Sequence, residues 1–173
     1  MTDANKIRVG IVMGSDSDWP KIKSVAAALD EFGVAYQVQV MSAHRTPDVV
    51  HDFAAGAVER GMRVLIAAAG GAAHLAGVCA SHTTLPVIGI PVATEMMGGL
   101  DSLLATVQMP GDVPVATVGT GSGGARNAGL LAVQILALSD PALAEKLVEF
   151  KQKLVGKVSG KNEKLQAKIQ EEK

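Results

Sequence analysis

Aromatic residues are scarce in this chain: one Trp, one Tyr and three Phe among 173 residues. The core must therefore be built from Val, Ile, Leu, Ala and Gly, and for a flavin, whose ring is held by stacked aromatics, Trp19 and Tyr36 are a poor supply. The one cysteine, Cys79, excludes an internal disulfide and any cysteine-rich zinc site. It fits a reducing, cytoplasmic compartment. Charge is also short, at 19% against about 25% in an average domain, which predicts surface buried against other subunits. The net charge of −1 supplies no basic field, so nucleic acid is not an expected partner. No apolar run reaches the roughly 20 residues of a membrane span. The longest, from Val64 to Ala80, is broken by Gly70-Gly71 and carries His74. The first, Val9 to Met13, is too short for the apolar segment of a signal peptide and leads into Ser15-Asp16-Ser17-Asp18.

What is present is an alternation of apolar runs and amphipathic segments. Ile7–Met13, apolar throughout but for Arg8, is a β-branched run ending at Gly14, the pattern of a strand buried on both faces. Asp18 or a neighbour can cap a helix with Pro20 in its first turn, running to about Phe32, where Gly33 stops it. Tyr36–Met41 reads as a second strand, and Pro47 opens a helix through Arg60 that Gly61 ends. Arg63–Ala69 is the third strand, Ala72–Ser81 a small-residue helix and Val87–Pro91 a short fourth strand. Asp101–Gln108 is expected as helix, Val113–Val118 as the fifth strand and Ala125–Leu138 as a long buried helix.

Five strands alternating with helices predict an α/β fold of three layers, with a parallel sheet covered on both faces by right-handed crossovers. A flavodoxin-like strand order of 2-1-3-4-5 follows as the expected arrangement. Residues 1–150 form one catalytic domain on this reading. Asp140-Pro141 starts a last helix, and residues 151–173, with seven Lys and three Glu, form a lysine-rich helical extension or a frayed tail.

Ligands of such sheets bind at the carboxyl ends of the strands, near the switch point between the first and third. Three segments reach that edge together. In Gly14-Ser15-Asp16-Ser17-Asp18-Trp19 the hydroxyls and carboxylates suit a ribose diol, or they cap the helix that follows. In Ser42-Ala43-His44-Arg45-Thr46-Pro47, Arg45 offers a planar fork for a phosphate or carboxylate. His44 in the same turn is the side-chain type that exchanges protons near neutral pH. In Ala69-Gly70-Gly71-Ala72-Ala73-His74, the glycines allow a ligand to approach the backbone and the helix start offers N–H donors to an anion. Tight packing of strand on helix explains the same small residues. His74 is expected to wall the pocket or pack, supporting the chemistry rather than carrying it.

Other candidates are weaker. His51, beside Asp52 within a helix, reads as surface; His82 has no evident partner in the sequence; and the four histidines lack metal-ligand spacing, so no metal is expected. Met96-Met97-Gly98-Gly99 is an apolar loop suited to a lid or an oligomer contact. Cys79 reads as a core thiol. Gly121-Ser122-Gly123-Gly124 resembles a phosphate loop but lacks its Lys-Ser/Thr ending and follows the last strand.

Together the three segments resemble the signature loops of the N5-carboxyaminoimidazole ribonucleotide mutases, the catalytic subunit of bacterial phosphoribosylaminoimidazole carboxylase. Asp101-Ser102-Leu103-Leu104, Val107-Gln108-Met109-Pro110 and the stretch from Asn127 to Leu136 are also similar, in the same order and spacing from about Arg8 to Leu138. The resemblance implies a flavodoxin-like enzyme of purine biosynthesis, octameric, with sites shared between subunits and no cofactor. Its ribonucleotide substrate carries a carboxylate on the exocyclic amine of an aminoimidazole, and the product carries it on ring carbon C4. By the matching motifs, Gly14, Ser15 and Asp18 bind substrate and Ser42 and Arg45 hold the phosphoribosyl end. His44 is then the general acid and base, and Gly70, Gly71, Ala72, Ala73, His74 and Leu75 shape the pocket for the mobile carboxylate.

Two other readings compete. A related carboxylase fixes carbon dioxide directly onto the ribonucleotide, but that group typically has His-Lys-Gly where this chain has His44-Arg45-Thr46. A non-catalytic flavodoxin-like module is more distant. A phospho-receiver needs an acceptor Asp after the third strand, where Ala69-Gly70-Gly71 stands.

Overall fold

In the computed structural model, which describes residues 6–172, the chain divides into two compact units, one through Leu136 and one from Ala137 onward. The first holds a five-stranded, wholly parallel sheet. Its strands are β1 (Val9–Met13), β2 (Tyr36–Val40), β3 (Val64–Gly70), β4 (Val87–Val92) and β5 (Ala116–Thr117), in the order β2-β1-β3-β4-β5. The expected order 2-1-3-4-5 is thus borne out. The helices are α1 (Trp19–Ile22), α2 (Ser24–Phe32), α3 (Pro47–Ala55), α4 (Leu75–His82), α5 (Leu100–Val107), α6 (Gly121–Ala137) and α7 (Pro141–Glu171).

Burial follows position in the sheet. All of β1 and β4, and β3 through Ala68, are buried on both faces, which is why they read as unbroken apolar runs. Edge strand β2 alternates Tyr36-Gln37-Val38-Gln39-Val40 and is half-exposed. The register Gly10↔Gln37 and Gly10↔Leu65 sets the ends of β1, β2 and β3 side by side. On one face, Val50, Phe53, Met62, Leu65, Leu75 and Cys79 pack together. Burial there pushes the Cys79 thiol up to about 12, so it is a core thiol, as expected.

The differences from expectation lie at element ends. The first helix breaks at Lys23 into α1 and α2, and Gly33 closes α2 in the left-handed region at φ 70°. Helix α3 stops at Ala55, short of Arg60. The Phe53 carbonyl, which a continued helix would give to the Ala57 N–H, instead accepts from the Arg60 guanidinium, and Ala57 turns tightly onto Ala54. Strand β5 shrinks to two residues because Pro114 has no N–H to donate and only β4 is beside it. The glycine-rich stretch 121–124 is the first turn of α6, not a loop before it.

In the second unit, Asp140 caps α7 by accepting from the Leu143 N–H at 3.3 Å, with Pro141 at the first helical position. The helix runs through the lysine-rich segment to Glu171, so the tail is a largely solvent-exposed helix. No helix among the described residues is long and apolar enough to cross a membrane.

Candidate active site

The carboxyl ends of β1, β2, β3 and β4 surround a cavity of about 280 Å³. Gly14, Ser15 and Asp18 line it from the first segment, Ser42, Ala43, His44 and Arg45 from the second, and Ala69, Gly70, Ala72 and Leu75 from the third. All three segments singled out in the sequence therefore meet at one site.

Each is built by local hydrogen bonding. After β1, the Ser15 hydroxyl accepts from the Ser17 N–H at 3.3 Å and lies 2.8 Å from the Ser17 hydroxyl, capping a short turn over 16–18. The Asp18 carboxyl is only half-exposed, and burial raises it above the ordinary carboxylate range, with Lys21 opposing. After β2, Thr46 closes a turn on Ser42 in both directions: its hydroxyl accepts from the Ser42 N–H at 2.9 Å and donates to the Ser42 carbonyl at 3.2 Å. The Ser42 hydroxyl in turn accepts from the backbone N–H of Arg45 at 3.2 Å. The Arg45 guanidinium reaches across to β1 and donates to the Gly14 carbonyl at 3.0 Å. That bond ties the second segment to the first and leaves other guanidinium N–H groups for an anion.

The third segment differs from expectation. Ala72 and Ala73 do not start the helix. The Ala73 N–H turns back to Gly71 O at 2.8 Å and the His74 N–H to Ala72 O at 2.9 Å, so α4 begins only at Leu75. The Gly71 N–H donates to the Ser102 hydroxyl at 2.9 Å. The Ala73 N–H, expected as a helix-start donor to an anion, is thus already bonded within the protein, as are those of Gly71 and His74. Gly71 needs its lack of a side chain, with φ at 66°. Gly70 sits against Val92 and Thr94, where a Cβ would come within 3.2 Å of Val92 O. Ala73 is buried, and neither it, Gly71 nor His74 lines the cavity.

His74 nonetheless bears on the site through His44. Nε2 of His44 lies 2.8 Å from Nδ1 of His74, the rings meeting edge to face at 84°. One nitrogen must donate and the other accept, so the tautomers of the two rings are coupled. When His44 takes a proton it becomes a donor at both nitrogens, and His74 Nδ1 is placed to accept from it.

Sequence reading missed Lys21, Val92, Ala93 and Thr94, which complete the cavity wall. Lys21 Nζ donates to the Ala93 carbonyl at 3.0 Å, and Thr94 Oγ1 donates to the Asp101 carboxylate, 3.0 Å from both oxygens. The signal available was the carboxyl end of β4, which the rule for parallel sheets marks as strongly as the other three. His82, without a partner in the sequence, meets His51 ring to ring at 4.6 Å, and His51 is paired with Asp52 at 3.1 Å, away from this cavity.

Comparison with known proteins adds an independent line. The family model described as AIR carboxylase matches residues 8–157. The chain is similar to the N5-carboxyaminoimidazole ribonucleotide mutase of Mycobacterium tuberculosis, at 55% identity over 92% of this chain and 90% of that protein. It is similar to the protein of the same name from Bacillus subtilis, at 58% over 82% of this chain and 87% of that one. Among solved structures it resembles Treponema denticola PurE, with a TM-score of 0.81 and 28% identity over 91% of this chain and 97% of that one.

Proposed function

The chain belongs to the AIR carboxylase family, and from that premise we propose that it is an N5-carboxyaminoimidazole ribonucleotide mutase of purine biosynthesis. The observation that carries the reading is the His44 imidazole on the cavity wall, hydrogen-bonded to His74 and next in sequence to the anion-binding fork of Arg45. The reaction moves a carboxylate from the exocyclic nitrogen of the aminoimidazole to C4. Cleaving the carbamate N–C bond releases carbon dioxide and requires a proton at nitrogen. Attack of C4 on carbon dioxide forms the new C–C bond and then requires loss of the C4 proton. His44 delivers the first proton and accepts the second, so it ends as it began. Atoms, charge and electrons balance, and the isomerisation calls for no cofactor.

The remaining residues take roles consistent with their bonding. Arg45 and Ser42 hold the phosphoribosyl end, Asp18 and Ser15 accept and donate to ribose hydroxyls, and Gly14 leaves room for them. Gly70 through Leu75 shape the carboxylate side of the pocket, with His74 orienting His44. Residues 1–150 form the catalytic domain and 151–173 lie outside it.

Carbon dioxide held between two steps must not escape, yet His44, Arg45 and His74 are all exposed in a single chain. The missing wall comes from neighbouring subunits of an octamer. Apolar surface is available for such contacts: Met96 and Met97 are 72% and 62% exposed, and Leu100, Leu104 and Val107 form an open stripe on α5. The enzyme works in the cytoplasm, as one buried thiol suits.

The deciding experiment is an assay of the purified chain with the carbamate ribonucleotide, without ATP or bicarbonate. Interconversion of the two carboxylated ribonucleotides is expected. A requirement for high bicarbonate, with no turnover of the carbamate, would replace the mutase by the carboxylase. Light scattering is expected to report an octamer; an active species of 17.8 kDa would refute the shared site.

A further inference from the structure

Two polar side chains are buried in the core among the described residues, Ser102 and Thr106, both on α5. Ser102 has no exposed surface and does not line the cavity. Its hydroxyl donates to the Val92 carbonyl at 2.7 Å and accepts from the Gly71 N–H at 2.9 Å. One proton and one lone pair thus join the end of β4 to the turn after β3, and the direction of each bond dictates that of the other. That turn has little else to define it. Its side chains are two glycines and two alanines, and Gly71 sits at φ 66°. From Gly71 the two tight turns through Ala73 and His74 lead directly to the backbone of His74. His74 then meets His44 at 2.8 Å.

We propose that Ser102 is a positioning residue that sets the Gly71 turn and, through His74, the orientation and tautomer of the His44 imidazole. The inference rests on the mutase reading only for its effect on turnover. The ring geometry is a property of the free protein. A buried serine that merely satisfies two backbone groups would affect stability alone.

Nitrogen-15 NMR of the histidine rings in the full chain separates these roles, because there are only four histidines and single His→Asn variants assign them. In Ser102→Ala the ring-nitrogen signals of His44 and His74 should shift while those of His51 and His82 stay in place. Turnover of the carbamate should fall between about ten- and a hundredfold, the scale of a small misplacement at a reacting centre, with KM changed far less. Thr106→Val removes the other buried hydroxyl of α5, which bonds to Ser102 O and not to the turn; it should leave both rings and turnover as they are. If Ser102→Ala does not fold, Gly71→Ala disturbs the same turn from its other side, since a Cβ there meets nothing within 4 Å but the backbone remains at φ 66°. It should move the same two rings. Lowered stability in Ser102→Ala with His44, His74 and turnover unchanged would overturn the proposal. So would equal shifts in Thr106→Val, or unmoved rings in Gly71→Ala. A wild-type protein inactive on the carbamate would sink the mutase reading and leave the NMR result standing.

Discussion

Replacing His44 by Asn separates chemistry from stability more cleanly than any other change at this site. The side chain is exposed, and its ring makes one hydrogen bond, to His74. Losing an exposed hydrogen bond of that kind costs about 0.5–1.5 kcal/mol, a shift of a few degrees in melting temperature for a chain of this size. Loss of a general acid and base lowers turnover by about 10²–10⁴, or roughly 3–5 kcal/mol of barrier. In the proposed mechanism one group serves both proton transfers, so the larger figure is expected. Binding should survive, because the Arg45 contacts to Gly14 O and Ser42 do not involve the His44 ring. His74→Asn removes only the partner, and should cost about ten- to a hundredfold through misorientation of His44, less than the loss of His44 itself. The assay is steady-state turnover of the carbamate ribonucleotide, with ligand affinity by calorimetry and melting temperature measured on the same samples. Near-normal turnover in His44→Asn, or a greater loss in His74→Asn with binding intact, would show that the proton passes through the other ring.

Three more changes test the surrounding structure. Arg45→Ala should weaken ribonucleotide binding by about 1.5–3 kcal/mol for each charge-assisted bond lost, and an unchanged dissociation constant would remove the guanidinium from the site. The Asp18 carboxyl is raised by burial, and in the proposed role its ionised form accepts from ribose hydroxyls. Affinity should therefore be full above that raised value and decline as pH falls through it, and Asp18→Asn should abolish the dependence; an identical pH profile in the variant would refute the role. Gly129→Ala places a Cβ 2.6 Å from Val25 O and 2.8 Å from the Ala28 Cβ, which forces α6 away from α2. Urea denaturation should report a loss of about 1–3 kcal/mol, and no loss would mean that this helix contact is looser than it stands.

The sheet was legible in the sequence because parallel strands buried on both faces leave an unmistakable trace: Val9–Met13, Val64–Gly70 and Val87–Val92 are unbroken apolar runs. What escaped was decided by single side chains acting across the fold. Nothing near Phe53 announces that the Arg60 guanidinium will take its carbonyl and end α3. Nothing in Gly70-Gly71-Ala72-Ala73 announces that a serine in a later helix will bind the Gly71 N–H and delay α4 to Leu75. The candidate site divides in the same way. Residues with distinctive chemistry, His44, Arg45 and Asp18, were visible as types at strand ends. Lys21 and Thr94 were not, because a lysine on a helix and a threonine after a strand are ordinary until the cavity is closed around them.

The spacing of the site's contacts shows how much of this was implicit in topology. Arg45 reaches Gly14 across 31 positions, Gly71 reaches Ser102 across 31, and His44 reaches His74 across 30. Each interval is about the length of one strand-helix-strand unit, roughly 30 residues. In a parallel sheet every such unit returns the chain to the same edge, so residues one unit apart are delivered to the same edge whatever lies between them. The order 2-1-3-4-5 then sorts the deliveries. The Arg45 to Gly14 bond joins adjacent strands β2 and β1, whereas His44 and His74 follow β2 and β3, which β1 separates. Those two rings therefore meet across the strand that lies between their own, at 2.8 Å. The contact between the two histidines is therefore a consequence of strand order, which delivers the segments after β2 and β3 to the same edge on either side of β1.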